Sequence, residues 1–189
     1  MTTLDGLTPG TWTVDPSHSE VGFVVRHLMV SKVKGRFADV SGTITVAEDV
    51  LKSTVEATAK VASIDTRDEN RDAHLRSADF FDAENFPELT FRSTALRAKG
   101  SDFEMNGDLS IRGVTKPVTF VLEYNGASAN PLAEGAATAG FSAEAEINRK
   151  DFGLEWNVAL ESGGVLVGEK VKITLEIEAG KAHAAAAAA

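Results

Sequence analysis

Apolar and polar residues alternate along most of this chain with a two-residue period, the signature of β-strands whose successive side chains point to opposite faces. Val21, Phe23, Val25 and His27 share one face, and Glu20, Gly22, Val24 and Arg26 the other. Trp12 and Val14 precede them on a short segment broken at Asp15-Pro16-Ser17, because proline cannot donate to a ladder and favours a turn. Residues 33–47 read as a long second strand with Phe37, Ile44 and Val46 inward and with bends or bulges at Gly35, Asp39 and Gly42. A third strand sets Ser53, Val55, Ala57, Ala59 and Val61 against Thr54, Glu56, Thr58 and Lys60, so one of its faces is made of small residues. The fourth carries Leu89, Phe91, Ser93 and Ala95, and the fifth Phe103, Met105, Gly107, Leu109 and Ile111. The sixth carries Val118, Phe120, Leu122 and Tyr124, with a loop opening at Asn125-Gly126 and running to Pro131. Phe141, Ala143, Ala145 and Ile147 mark the seventh, and Val171, Ile173, Leu175 and Ile177 the eighth. The connection through Phe152, Trp156 and Ser162-Gly163-Gly164 matches neither period.

The alternation stops over residues 63–81, between the third and fourth strands. Thr66 and Glu69 have the spacing of a capping box, which predicts a helix starting near Arg67. Asp68 and Glu69 suit the positive end of its dipole, and Asp72 stands four residues before Arg76 as an ion pair. Ser77 offers a second cap to a turn carrying Phe80 and Phe81. The segment reads as a polar helix with an apolar end, a candidate lid with Arg71, Asp72 and His74 outward and Leu75, Phe80 and Phe81 facing an interior.

Strands joined by turn signals, each with one apolar face, predict an antiparallel all-β fold. A strand of ten residues spans about 33 Å, and eight long strands closing on themselves enclose either packed side chains or one small ligand. A two-sheet sandwich fits the same alternation. Ala57, Ala59, Gly107, Ala143 and Ala145 are too small to fill a barrel from inside, which predicts a long apolar cavity.

Composition narrows the function. The 189 residues form one domain over residues 1–182, followed at 183–189 by an alanine-rich tail without core pattern. The chain contains no cysteine, which excludes disulfides, thiolate catalysis and Cys-ligated zinc. A net charge of -9 with scattered cations opposes nucleic-acid binding. No apolar run approaches the roughly 20 residues of a membrane-spanning helix, and the N-terminus lacks a secretory pattern, so a cytoplasmic location is expected.

Candidate chemistry is sparse. His27 could hydrogen-bond a ligand head group or be a core histidine with satisfied partners. His18, nine residues away, falls on the opposite face of an unbroken strand, so the two are a poor metal pair. His74 with Asn70 could close over the mouth of the fold or pin the insertion to its rim. Asp65, Asp68, Glu69 and Asp72 lack the glycine and terminal glutamate of a calcium loop and read as a capped helix start. Phe152 and Trp156 are candidates for a wall or gate. No nucleophile elbow, phosphate loop or dinucleotide pattern is present, so neither a cofactor nor an enzyme is expected.

Several ordered motifs carry a family resemblance: Asp15-x-x-His18-Ser19 leading to Phe23 and His27, then Gly35 and Phe37, Thr66, Arg71-Asp72-x-His74-Leu75 and Asp79-Phe80-Phe81. Pro87-x-x-x-Phe91, Gly107-x-Leu109-x-Ile111-x-Gly113-Val114-Thr115-x-Pro117-Val118 and Arg149-x-Asp151-Phe152-Gly153 continue it. From about Gly10 to Ala179 the chain resembles the YceI-like family. The resemblance implies an extended, lipocalin-like, eight-stranded antiparallel up-and-down barrel that holds a polyisoprenoid or isoprenoid-quinone lipid. Many members are periplasmic, a location not carried over to a chain without the signal. The expected ligand-binding set is Val21, Phe23, Val25, His27, Phe37, Ala57, Ala59, His74, Leu75, Phe80, Phe91, Met105, Leu109, Phe120, Phe141, Ala143, Phe152 and Trp156. A carrier is the first expectation, and an enzyme acting on a bound lipid or quinone through His27 or His74 is the alternative. A homodimer is left open.

Overall fold

Long strands pair in sequence order around a closed circuit in the computed structural model, which describes residues 2–131, 136–161 and 163–181. The strands are β1 (Gly10–Val14), β2 (Glu20–His27), β3 (Ser31–Phe37), β4 (Val40–Val46), β5 (Thr54–Lys60) and β6 (Ile64–Asp65). After helix α1 (Glu69–Arg76) come β7 (Glu88–Lys99), β8 (Asp102–Ile111), β9 (Val114–Ala129), β10 (Ala137–Asn148) and β11 (Val167–Lys181). The antiparallel order β1-β4-β5-β7-β8-β9-β10-β11 returns to β1, closing an eight-stranded barrel. The expected tail at 183–189 and Ser162 lie outside the described residues.

Two of the eight staves are interrupted. β1 and β2 are successive pieces of one stave: both pair with β11, through Val14↔Ala179 for β1 and Leu175↔Val21 for β2. Residues 15–19 splice them. Asp15 N-H donates to Glu178 O at 2.8 Å, and Glu178 N-H donates to Ser19 Oγ at 3.0 Å, so β11 keeps partners across the proline break. β3 and β4 form the second interrupted stave, divided at Ala38 and Asp39.

Register explains why the alternation was so regular. Phe91↔Leu109, Met105↔Phe120, Ala143↔Leu175, Phe141↔Ile177 and Ile173↔Phe23 are facing pairs, and each puts two apolar side chains on the inner face. Two expectations about glycine are corrected. Gly35 and Gly42 lie in unbroken register, so neither is a bulge. A Cβ on Gly35 would stand 2.3 Å from the Phe23 ring, so this glycine makes room for an aromatic neighbour. The loop expected to open at Asn125-Gly126 is also corrected, since β9 continues to Ala129 against β10.

The helix starts later than the capping box implied. Asp68 is the N-cap, its carboxylate accepting from Arg71 N-H at 2.9 Å, and Arg67 is left-handed at φ 64. Thr66 is turned away: its backbone N-H and hydroxyl donate to Asp72 Oδ1 at 2.9 and 2.5 Å. Asp72 is therefore buried, contrary to the outward position expected, and forms no pair with Arg76. Arg76 instead donates to Ala62 O and Ile64 O, both at 3.0 Å. Ser77 ends the helix, and its Oγ accepts from Asp79 N-H at 3.3 Å as the turn toward Phe80 begins.

Candidate functional site

Inside the barrel lies an apolar cavity of about 280 Å³. Phe103, Met105, Leu109 and Ile111, all on β8, line it, so it extends for about 26 Å at 3.3 Å per residue. One end is closed by the N-terminal Leu4 and Leu7 with Val46 and Val50. The other is closed by Leu75 of α1, Phe80, Phe81 and Leu154. Leu75, Phe80 and Phe81 thus face the interior, as expected of them.

Most residues expected at the ligand do line the cavity: Val21, Phe23, Val25, Phe37, Ala57, Ala59, Leu75, Phe80, Phe91, Met105, Leu109, Phe120, Phe141 and Ala143. Two of the small residues leave no space. The Phe91 ring covers Gly107, and Ala145 is packed into the core without reaching the cavity.

Four expected residues lie elsewhere. His27 ends β2 beside the hairpin turn, where its carbonyl accepts from Val30 N-H at 3.2 Å. His74 Nε2 is 2.8 Å from Asp79 Oδ2, and its ring meets Trp156 and Phe80 edge-on at 4.7 and 5.1 Å between centroids. His74 and Trp156 therefore build the rim, outside the lining. Phe152 is fully buried in the 3-10 turn Arg149–Phe152, beneath the cavity end.

Alternation could not find Arg149, the one charged lining residue among those described. It is buried, and its hydrogen-bond partners among the described residues are all backbone carbonyls. Nε donates to Gly168 O at 2.9 Å, Nη1 to Leu154 O and to Trp156 O at 3.0 Å, and Nη2 to Val167 O at 3.4 Å. Burial pulls the guanidinium pKa down from its ordinary value. These bonds tie the connection that the sequence left unassigned to the start of β11. Tyr124 marks the other end, its hydroxyl donating to Asp5 O at 2.6 Å, and burial followed by the Asp5 charge raises its pKa.

Arg112 fastens the lid to the same connection: Nη1 donates to Gly153 O at 2.9 Å and Nη2 to Ala78 O at 2.8 Å. Outside the barrel, Asp15, His18 and Glu178 gather their ligand-type atoms within 4.8 Å. The Asp15 carboxylate there accepts from Ser17 N-H at 2.8 Å and from Ser17 Oγ at 2.6 Å, and lies 2.8 Å from His18 Nδ1. That geometry accounts for the group as the splice of the broken stave.

A closed antiparallel barrel, a continuous apolar interior and a helix set across one end coincide with a family match over residues 12–179 to the YceI-like domain. The chain belongs to the YceI-like family. A UPF0312 protein of Staphylococcus aureus strain MSSA476 is 41% identical over 170 residues, covering 88% of this chain and 95% of the relative. The YceI protein of Campylobacter jejuni has a TM-score of 0.67 at 28% identity, over 96% of this chain and 98% of that one. BcnA of Burkholderia cenocepacia reaches 0.71 at 24% identity, over 87% and 98%. A polyisoprenoid binding domain of Saccharophagus degradans has the same fold, with a TM-score of 0.66 at 17% identity over 89% and 97%. No helix among the described residues is long and apolar enough to cross a membrane.

Proposed function

We propose that this protein binds a long apolar lipid of isoprenoid type, a polyisoprenoid or an isoprenoid quinone, and sequesters or carries it without chemical turnover. The continuous apolar cavity along the barrel axis carries this reading. The polyisoprenoid binding domain of like fold supports the choice of cargo. Each 100 Å² of chain surface moved out of water contributes about 2.5 kcal/mol, and a preformed cavity avoids the cost of opening one. An enzyme working through a histidine gains no support, because neither His27 nor His74 lines the cavity.

The test is to denature the purified protein in organic solvent and identify the released lipid by mass spectrometry. Ala59→Phe with Ala143→Phe, which fills the cavity from two walls, should abolish uptake of added farnesol while the barrel still melts cooperatively. Unchanged uptake in that variant rejects the reading.

A further inference from the structure

The turn between β2 and β3 is built against its own backbone preferences. Leu28 and Met29 occupy its two central positions with φ of 52° and 60°, and Val30 N-H donates to His27 O across it at 3.2 Å. A turn with positive φ at both central residues favours Asn-Gly there, because other side chains rarely adopt left-handed backbone. This turn carries two large apolar residues and exposes both, at 39% and 49%, with Val30 at 83%. Val158, 46% exposed, joins them: Leu28 N-H donates to Leu166 O at 2.8 Å, and Leu166 N-H to Val158 O at 2.9 Å. Of the five exposed large apolar side chains among the described residues, four lie at this tip, and the fifth, Val121, stands alone on β9. A locally unfavourable choice that displays apolar surface points to a use for that surface.

The tip is continuous with the cavity end. Val25 and Val167 line the cavity, and Val167 is the register partner of His27, the last residue before the turn. Beside the turn the two flanking strands carry only cations, and their one acid, Glu20, lies at the far end of β2 beside Arg36. Arg26, Lys32 and Lys34 are exposed and in no ion pair among the described residues, whereas Lys170 and Lys172 on neighbouring β11 are each held by a glutamate at 2.7 Å. Free cations behind an apolar tip, on a chain of net charge -9, complement a surface with an apolar interior and anionic head groups.

We infer that residues 28–30 with Val158 form a membrane-docking tip that sets the cavity end against an anionic lipid bilayer. This rests on the lipid-cargo reading above and names where that cargo is exchanged.

The experiment is flotation with vesicles of phosphatidylcholine alone and of phosphatidylcholine with a minority of phosphatidylglycerol. Wild type should bind the anionic vesicles, and more weakly as salt rises. Leu28→Asn with Met29→Gly supplies the residues the turn prefers, so it should raise the melting temperature while cutting vesicle binding about tenfold. Lys32→Glu with Lys34→Glu should lose binding to anionic vesicles while folding normally. Wild type that leaves the vesicles unbound, or variants that bind as wild type does, overturn the docking. So does a wild-type dimer on sizing that becomes a monomer in the turn variant, since the tip would then be a contact between copies. Farnesol uptake separates the two readings. Both variants should take it up as wild type does, so normal uptake without docking overturns the tip alone, whereas a wild type that takes up none overturns the cargo.

Discussion

The Phe91 ring occupies the space that a side chain on Gly107 would fill: a Cβ there would stand 2.3 Å from Phe91 Cζ and 2.7 Å from Arg92 O. Because one of the two obstacles is backbone, Gly107→Ala should destabilise the barrel by about 1–3 kcal/mol. Urea unfolding checks the value. In a Phe91→Ala background the same change should cost less, and equal costs in both backgrounds would remove the ring from the explanation.

That contact also shows where alternation was a sufficient guide. A period of two places a side chain inside or outside, and with one face buried throughout, it sorted the eight staves and most of the cavity lining. It does not say what occupies the space beside a small residue. Ala59 and Ala143 leave cavity, while Gly107 leaves room for a ring from the next strand. Arg149 stood out only as part of a family motif, and its place at the cavity could not be read, because its partners are carbonyls up to nineteen positions away, contacts no local pattern encodes. His27 was harder to place for a related reason, since a polar residue in an apolar register can sit at a stave end, as His27 does, whereas His74 took the rim position that was one of its two readings. In the insertion two acceptors competed for one role. Asp68 is at least as good an N-cap as Thr66, and the Thr66 hydroxyl went to Asp72 instead.

The Thr66 hydroxyl donates to Asp72 at 2.5 Å and accepts from Arg71 Nε at 2.7 Å, so it joins the helix to β6. Thr66→Val keeps the shape and removes one of two donors to a buried carboxylate. The expected loss is about 2–3 kcal/mol in chemical denaturation, with Thr66→Ser close to wild type. A Thr66→Val protein as stable as wild type would show that the carboxylate finds other partners.

Arg112 holds the lid segment through Ala78 O and the cavity-end connection through Gly153 O. It sits at φ 50 in a two-residue turn with Gly113, so Arg112→Asn preserves the turn while cutting both ties. If cargo leaves past the lid, release of a fluorescent prenyl probe to acceptor vesicles should speed up by about tenfold, with little change in melting temperature. Stopped-flow transfer measures it, and an unchanged rate places the exit elsewhere.

The splice at residues 15–19 should make stability depend on pH with a defined sign. Hydrogen bonds from Ser17, then from His18, hold the Asp15 carboxyl well below its ordinary 3.8, and the bond to Asp15, then the charges of Asp15 and Glu178, raise His18 above its ordinary 6.5. A raised histidine contributes stability that is complete below its unfolded pKa and lost as pH rises through the folded one. A depressed aspartate contributes stability that is present above its unfolded pKa and lost as pH falls through the folded one. The two overlap fully between 3.8 and 6.5. Compared with His18→Gln, wild type should show its largest melting-temperature advantage in that window, and the His18 share should vanish under alkaline conditions. His18 is largely open to solvent and Asp15 partly so, so added salt should shrink the difference. An advantage that grows from neutral toward alkaline pH would contradict the assignment of a charged His18 to the splice.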